Sequence, residues 1–245
     1  MIHLRIRRQD RPETMPYWQE FHIPYRPGHN IVSALMVLRD NPVTDDGQQV
    51  EPVAWESNCM EEVCGACTML INGQPRQACS ALVDDLVQPI VLEPLSKFPV
   101  VRDLLVDRSK IFQGLKQVKA WIEIDGAWDV HLGSPRISPQ EWAENYLYSR
   151  CMSCGCCMEA CPQFGPQQDF LGPAIMGQVF LMNNHPTGAY DRTDRLHAVM
   201  AEGGLSDCGN AQNCVRVCPK EIPLITAIGK LGRQVSKQLF KDILG

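Results

Sequence analysis

Two runs of closely spaced cysteines in the second half of the sequence are its strongest chemical signal. The first run has the spacing C-x2-C-x2-C-x3-C-P and comprises Cys151, Cys154, Cys157 and Cys161, followed by Pro162. Cysteines at this spacing hold [4Fe–4S] clusters, in which their thiolates ligate the iron atoms. The run therefore predicts an iron–sulfur site.

The second run repeats this spacing with one change. Alanine stands at residue 211 in place of the second cysteine, and the other positions are filled by Cys208, Cys214, Cys218 and Pro219. In paired runs of this kind, the last cysteine of each run ligates the other cluster. The spacing thus predicts a [4Fe–4S] cluster on Cys151, Cys154, Cys157 and Cys218. The cysteines that remain for the other cluster are Cys161, Cys208 and Cys214. Three thiolates suit a [3Fe–4S] cluster, which lacks one iron.

A third group of cysteines lies in the first half of the sequence. Its members are Cys59, Cys64 and Cys67, spaced C-x4-C-x2-C, and the more distant Cys79. This is the plant-type [2Fe–2S] spacing, with its fourth ligand remote in sequence. The four thiolates are therefore predicted to hold a [2Fe–2S] cluster.

The residues around this third group explain how its members meet. Asn72-Gly73 is a strong signal for a two-residue hairpin turn, so the returning strand should bring Cys79 back beside the loop. Gly65 and Ala66, between two ligands, are small enough to let the loop backbone approach the cluster sulfides.

A disulfide framework and a zinc site are both disfavoured for the twelve cysteines of this 245-residue sequence. Disulfide frameworks are typical of small secreted domains, whereas the N-terminus here lacks the apolar core of a signal peptide. Paired C-x2-C units also bind zinc, but zinc does not explain two C-P endings or the triple run. A net charge of -5 argues against nucleic acid as the main partner. No apolar run of about 18 residues predicts a transmembrane helix, so we expect a chain that stays in the cytoplasm.

The spacing of apolar residues predicts the elements around these sites. Strands are predicted at residues 2–8, 17–25, 68–71 and 89–94, with a returning strand after the hairpin turn. Helices are predicted at residues 31–39, 101–118, 170–182, 193–202 and 224–243, and a further one starts at the Ser138–Glu141 capping box. Asn30 is the expected N-cap of the first helix. Residues 120–139 are expected to form a loop that Trp128 pins.

Strand patterns give way to helical ones near residues 100–110. We therefore predict an α+β protein with two domains. Residues 1–105 should form a plant-type ferredoxin-like (β-grasp) domain with the [2Fe–2S] cluster. Residues 106–245 should form an all-α, bacterial ferredoxin-like domain with the other two clusters.

No catalytic site is predicted from the remaining residues. A G-x-G-x-x-G fingerprint is missing from the sequence, so nothing indicates a Rossmann-type flavin or nicotinamide site. We interpret all six histidines as structural or surface residues: His3, His22, His29, His131, His185 and His197. Cys156 matches the ligand spacing of neither cluster and is predicted to be a buried, non-ligating thiol.

Taken together, the motifs resemble the iron–sulfur subunits of succinate dehydrogenase and fumarate reductase, known as complex II. The resemblance rests on residues 59–67, Asn72-Gly73, 151–162, 172–174 and 208–220, and it covers nearly the whole chain. Residues 119–126 and 185–189 look most like the branch found in Gram-positive and related bacteria.

The resemblance implies a role in a larger complex. A separate flavoprotein subunit would carry FAD and the dicarboxylate site. Electrons would pass from the flavin through the [2Fe–2S], [4Fe–4S] and [3Fe–4S] clusters to a quinone in a membrane anchor. In this branch the anchor is a cytochrome b with two haems. The chain would lie on the cytoplasmic face of the membrane, and it would serve respiration and the tricarboxylic acid cycle.

The resemblance also bears on the quinone. Relatives that use ubiquinone carry a tryptophan pair soon after the first C-P and a histidine directly after the first cysteine of the second run. Here residues 162–166 contain no tryptophan, and Gly209 follows Cys208. The comparison favours menaquinone.

Three other functions are weighed against this one. A free-standing ferredoxin-like carrier is disfavoured because two cluster domains in one chain suit a fixed conduit for electrons. A zinc-bound scaffold is disfavoured by the C-P endings. The iron–sulfur subunit of another flavoenzyme, such as a glycolate or glycerol-phosphate oxidoreductase, would carry different cysteine runs and a long C-terminal domain.

Overall fold

The computed structural model describes residues 1–122 and 136–244, which form two compact units. The N-terminal unit combines Met1–Arg108 with the short segment Met152–Glu159. The C-terminal unit combines Ser109–Cys151 with Ala160–Gly245. Among the described residues, no helix has both the length and the apolar character needed to cross a membrane.

A five-stranded sheet is the framework of the N-terminal unit. Its strands are β1 (Ile2–Arg8), β2 (Tyr17–Ile23), β3 (Thr68–Ile71), β4 (Gln74–Gln77) and β5 (Ile90–Glu93). They lie in the order β2-β1-β5-β3-β4, with β1 and β5 parallel and the other neighbours antiparallel. The predicted strands are confirmed, although β2 ends two residues earlier than predicted and β5 is shorter than predicted by one residue at each end.

One helix, α1 (Ile31–Asp40), completes the core of this unit. Asn30 caps it as predicted, because its side chain accepts a hydrogen bond from Ser33 N at 2.8 Å. The helix buries Ile31 and Leu35 in the same hydrophobic cluster that takes the inward residues of β1, such as Leu4. Alternate residues of β1 are buried, as the period of a half-exposed strand requires.

The predicted helix at residues 101–118 is wrong in its first eight residues. Val100–Arg102 and Leu105–Val106 form a two-stranded antiparallel ribbon, β6 and β7, and helix α2 begins only at Ser109 and ends at Gln117. Asp103 lies between the two strands with φ +48°, a left-handed value that a right-handed helix cannot contain. Its buried carboxylate, which pairs with Arg8, outweighs the helical spacing of the apolar residues.

The C-terminal unit is helical in its described residues, as predicted. Its helices are α2, α3 (Pro139–Ser149), α5 (Pro173–Asn184), α6 (Arg192–Met200), α7 (Asn213–Arg216) and α8 (Leu224–Leu244). The central helix α5 packs against α2, α3, α6 and α8, which explains why it is buried on most sides. The short helix α4 (Cys156–Glu159) belongs to the N-terminal unit.

Local signals set several helix ends in this unit. Ser138 accepts a hydrogen bond from Glu141 N, and Glu141 accepts one from Ser138 N, which confirms the predicted capping box at the start of α3. Helix α5 begins at Pro173, three residues later than predicted, because proline suits the first turn of a helix. Trp128 and most of the predicted loop at residues 120–139 lie outside the described residues.

Candidate iron–sulfur sites

The loop at residues 59–64 directs its backbone amides at the sulfur of Cys59. Cys59 Sγ accepts hydrogen bonds from Glu61 N at 3.4 Å, Val63 N at 3.3 Å and Cys64 N at 3.3 Å. Left-handed φ values at Met60 (61°) and Glu62 (55°) curl the chain so that these amides converge. The three N–H groups lower the pKa of Cys59 to about 7.

The other two predicted [2Fe–2S] ligands are brought together by the hairpin. The turn residues Asn72 and Gly73 have φ values of 49° and 75°, as a two-residue hairpin turn requires. Cys79 lies just past β4, and its thiol and backbone N–H hydrogen-bond with Cys67. Burial raises the pKa of Cys67 to about 12. The structure thus forms two contacting pairs from the four predicted ligands, Cys59 with Cys64 and Cys67 with Cys79.

Gly65 lies against the segment that carries the first cysteines of the C-x2-C-x2-C run. A Cβ atom on Gly65 would stand 2.9 Å from Cα and Cβ of Cys154 and 2.9 Å from Met152 O. These separations are too short for carbon or oxygen neighbours, so only glycine fits. The sequence suggests that Gly65 lets the backbone approach the cluster sulfides, whereas in the structure the atoms nearest to an added Cβ belong to the Met152–Glu159 segment.

Arg108 fastens the same loop to the body of the N-terminal unit. Its guanidinium donates to Gly65 O at 2.6 Å, to Ala66 O at 3.3 Å and to the Glu56 carboxylate at 2.8 Å. The charge of Arg108 also contributes to a lowered pKa at Cys154. The sequence pattern places Arg108 only on the polar side of a helix, because nothing in the spacing indicates a partner 43 residues away.

Gln77 connects the [2Fe–2S] hairpin to Cys156. This fully buried amide donates to Thr68 Oγ1 at 2.7 Å and lies 3.6 Å from Cys156 Sγ through its Nε2 atom. The thiol of Cys67 in turn donates to Gln77 Oε1 at 3.6 Å. One side chain therefore contacts a predicted ligand of the first cluster and the extra thiol of the next run.

The Met152–Glu159 segment is held in the N-terminal unit by its own polar contacts. The buried Glu159 carboxylate accepts hydrogen bonds from Ser96 N at 3.0 Å and Lys97 N at 3.1 Å. Cys156 is completely buried, as predicted, and its thiol donates to Cys154. This hydrogen bond is the largest cause that lowers the pKa of Cys154 to about 7, and the Cys156 N–H and the charge of Arg108 contribute in the same direction. The same hydrogen bond raises the pKa of Cys156.

The three predicted [3Fe–4S] ligands lie near one another in the C-terminal unit. Burial, together with the nearby Cys161 and Cys208, raises the pKa of Cys214 to about 11. Asn213 ties the two runs together here, because its Nδ2 donates to Ala160 O at 3.0 Å. The structure thus brings together the last cysteine of the first run and two cysteines of the second.

The position of the missing cysteine is on an exposed loop. Ala211 is exposed and lies between Asn210 (φ 52°) and Gln212 (φ 62°), two left-handed residues that lead into helix α7. A hydrogen bond from Ile222 N to Cys218 Sγ, 3.4 Å long, positions the last cysteine of the run. Cys151 and Cys218 belong to the C-terminal unit, whereas Cys154 and Cys157 belong to the N-terminal unit, so the [4Fe–4S] ligand set stays a prediction.

The residues present fit iron–sulfur clusters. Every predicted ligand is a free thiol, and iron binds thiols as thiolates. Backbone N–H groups point at Cys59, Cys64 and Cys218, and hydrogen bonds to cluster sulfurs are a known determinant of reduction potential. The buried, raised-pKa thiols of Cys67 and Cys214 need the positive charge of a bound metal to ionise at neutral pH.

Replacement of Gly65 by alanine is expected to damage the [2Fe–2S] site. A left-handed alanine costs about 1 kcal/mol, and overpacking against Cys154 and Met152 adds about 1–3 kcal/mol. Gly73→Ala is the matched control, because its φ is 75° and no atom lies within 4 Å of the added Cβ. Urea unfolding of both variants tests this difference. Equal losses of unfolding free energy in Gly65→Ala and Gly73→Ala would show that the contact with Cys154 is unimportant.

Replacement of Arg108 by alanine is expected to loosen the loop at Gly65 and Ala66. Loss of hydrogen bonds from a charged group costs about 1.5–3 kcal/mol, so iron should leave the [2Fe–2S] site faster when a chelator is added. Arg102→Ala is the control, because its side chain is 40% exposed and its nearest carboxylate atom is 3.7 Å away. Identical chelation rates for the two variants would contradict the role given to Arg108.

Comparison with known proteins agrees with the two halves of the cysteine pattern. A family model described as a 2Fe-2S iron-sulfur cluster binding domain matches residues 3–113. A second, described as a 4Fe-4S dicluster domain, matches residues 148–222.

Relatives and solved structures match over nearly the whole chain. The succinate dehydrogenase iron-sulfur subunit of Bacillus subtilis (strain 168) is 55% identical over 246 residues, which covers 100% of this chain and 96% of that protein. The fumarate reductase iron-sulfur subunit of Wolinella succinogenes is 30% identical over 243 residues, covering 96% and 97%. A chain of the Mycobacterium smegmatis Sdh1 complex in the apo form has the same fold, with a TM-score of 0.78 at 22% identity over 98% of this chain and 97% of that one.

Proposed function

We propose that this chain, which belongs to the family of succinate dehydrogenase and fumarate reductase iron–sulfur subunits, conducts electrons from a flavoprotein to a membrane quinone. The chain is an iron–sulfur subunit of complex II with a 2Fe-2S and a 4Fe-4S domain. We further propose the cysteine ligands of each cluster, a third cluster of the [3Fe–4S] type, the partner subunits and the cellular location of the chain.

The observation that best supports this function is the packing of two cluster loops within the N-terminal unit. Gly65, from the [2Fe–2S] loop, lies directly against Cys154, a predicted ligand of the next cluster. Gln77 contacts both Cys67 and Cys156 at 3.6 Å. Adjacent loops of this kind suit a fixed conduit better than a scaffold that binds zinc at independent sites.

The proposal assigns each cysteine to a cluster. The [2Fe–2S] cluster is held by Cys59, Cys64, Cys67 and Cys79. The [4Fe–4S] cluster is held by Cys151, Cys154, Cys157 and Cys218. The [3Fe–4S] cluster is held by Cys161, Cys208 and Cys214. When bound, the clusters supply one-electron redox centres, and the protein supplies their ligands, their hydrogen bonds and the burial that excludes water.

The chain's own residues would set these properties locally. Three N–H groups at Cys59 stabilise negative charge on its sulfur, and the fully buried Gln77 keeps a polar group beside Cys67. Cluster type is one determinant of reduction potential, and a [3Fe–4S] cluster at the third site is expected to have a higher potential than its [4Fe–4S] neighbour. A higher potential suits the site that delivers electrons to quinone.

The proposed partners are a flavoprotein subunit that carries FAD and the dicarboxylate site, and a cytochrome b anchor with haem. We assign menaquinone as the electron acceptor near the [3Fe–4S] site and place the chain on the cytoplasmic face of the membrane. The domain limits 1–105 and 106–245 are part of the same proposal. Succinate oxidation and fumarate reduction are both compatible with this conduit.

Metal analysis of the purified complex tests this assignment. We expect about nine iron atoms per chain, from the three clusters, together with inorganic sulfide and co-purification of a flavin-containing subunit. A colourless chain that contains zinc and no iron would overturn the proposal.

A further inference from the structure

Four side chains from three segments meet on the exposed face of the sheet in the N-terminal unit. His3 on β1 and His22 on β2 are directly opposite in the antiparallel register. Their rings stack with centroids 4.3 Å apart and an angle of 20° between planes. Glu20 on β2 and Asp45 on the loop after α1 reach the same place.

One ligand atom from each of His3, His22 and Asp45 lies within 4.8 Å of the other two, which is close enough for one ion. His3 Nε2 lies 2.8 Å from Glu20 Oε2 and 3.9 Å from Asp45 Oδ2. His22 Nδ1 lies 2.6 Å from Asp45 Oδ1. Tetrahedral zinc with bonds of about 2.0–2.1 Å separates its ligand atoms by about 3.3 Å, within the range of these distances.

The backbone holds the group in place without an ion. Pairing of β1 with β2 fixes the two histidines opposite each other. Asp45 N donates to Glu20 O at 3.0 Å, so the loop that carries Asp45 is joined to the strand that carries Glu20. A site built on paired strands needs little reorganisation to bind a metal.

The charges also suit a divalent cation. Two carboxylates balance two positive charges, and imidazole with carboxylate is a donor set that zinc takes in proteins. Arg5 lies 3.8 Å from Glu20 Oε1 and leaves Oε2 directed at His3. We propose that His3, His22 and Asp45 form a zinc-binding site on the N-terminal unit, with the Glu20 carboxylate beside His3, separate from the iron–sulfur cysteines.

The alternative is a pair of ordinary histidine–carboxylate ion pairs. Such pairs occur elsewhere in the described chain, since His197 Nε2 lies 3.0 Å from Asp242 Oδ2. His197→Ala is therefore the matched control, because it removes an exposed histidine–carboxylate pair that has no second histidine. The sequence analysis interprets His3 and His22 as structural or surface residues, and only the strand register brings them together.

Zinc titration of the cluster-loaded protein tests the proposal. Isothermal calorimetry and zinc analysis after desalting should detect about one zinc per chain in the wild type and in His197→Ala. His22→Ala should weaken zinc binding at least about tenfold, and Asp45→Asn should do the same while keeping the size of the side chain. Iron content is measured in parallel, so that zinc taken up at damaged cluster sites is recognised by the loss of iron.

Two outcomes would overturn the zinc site. One is wild-type protein that takes up no zinc beyond the amount matched by iron loss. The other is equal zinc affinity in wild type, His22→Ala and Asp45→Asn, which would leave the group as ion pairs only.

Discussion

Replacement of Asp103 by alanine is expected to destabilise the N-terminal unit by about 3–5 kcal/mol. Asp103 is completely buried, and its carboxylate accepts hydrogen bonds from Arg8 Nε at 2.8 Å, Ala54 N at 2.8 Å and Gln9 N at 3.1 Å. Arg8 is itself only 1% exposed. Loss of the carboxylate would leave the buried Arg8 guanidinium without its counter-charge and two backbone donors without a partner, which is the costly way to break a buried ion pair.

Urea unfolding followed by tryptophan fluorescence measures this effect. Asp103→Asn should lose less than Asp103→Ala, because the amide oxygen still accepts a hydrogen bond and asparagine tolerates the φ of +48°. Asp40→Ala is the surface control, because that side chain is 74% exposed and its nearest cation, Arg39, is 3.5 Å away. An Asp103→Ala protein as stable as the Asp40→Ala control would show that the buried pair contributes nothing.

Replacement of Ala211 by cysteine is expected to restore the full C-x2-C-x2-C-x3-C-P run and convert the [3Fe–4S] site to a [4Fe–4S] site. The change of cluster type from [3Fe–4S] to [4Fe–4S] would lower the reduction potential of the site. Every 59 mV of one-electron potential changes the equilibrium about tenfold, so the transfer of electrons to quinone should slow. Ala211 is exposed, so a cysteine can be placed there without overpacking a core.

Low-temperature electron paramagnetic resonance of the oxidised complex measures the conversion. The [3Fe–4S] signal should disappear in Ala211→Cys and persist in Ala201→Cys, which adds an exposed cysteine elsewhere in the C-terminal unit. An unchanged signal in Ala211→Cys would mean that residue 211 does not face the cluster, and the assignment of Cys161, Cys208 and Cys214 would fail with it.

Elements whose signals are local were predictable from the sequence. The capping residues Asn30 and Ser138 and the turn Asn72-Gly73 act through neighbours three residues away or less, and all three occur as predicted. The cysteine spacing is also local, since each run lies within a dozen residues. The α+β character follows from the same local patterns.

Features that depend on distant partners could not be predicted. Asp103 takes its left-handed conformation because its carboxylate bonds Arg8 and Ala54, which are distant in sequence. These contacts explain why two short strands occur where a helical turn was predicted. Arg108 and Gln77 are ordinary polar residues in sequence, and only the fold places them against the cysteine loops. The His3–His22 pair could not be predicted for the same reason, because the alternation of apolar and polar residues predicts strands but not their register.

The most direct test of the electron conduit is low-temperature electron paramagnetic resonance of the membrane-bound complex before and after succinate is added. We predict a [3Fe–4S] signal in the oxidised complex, which succinate replaces with a [2Fe–2S] signal. Clusters that are present but stay oxidised with succinate, although dithionite reduces them, would contradict the proposed connection from the flavoprotein to this chain.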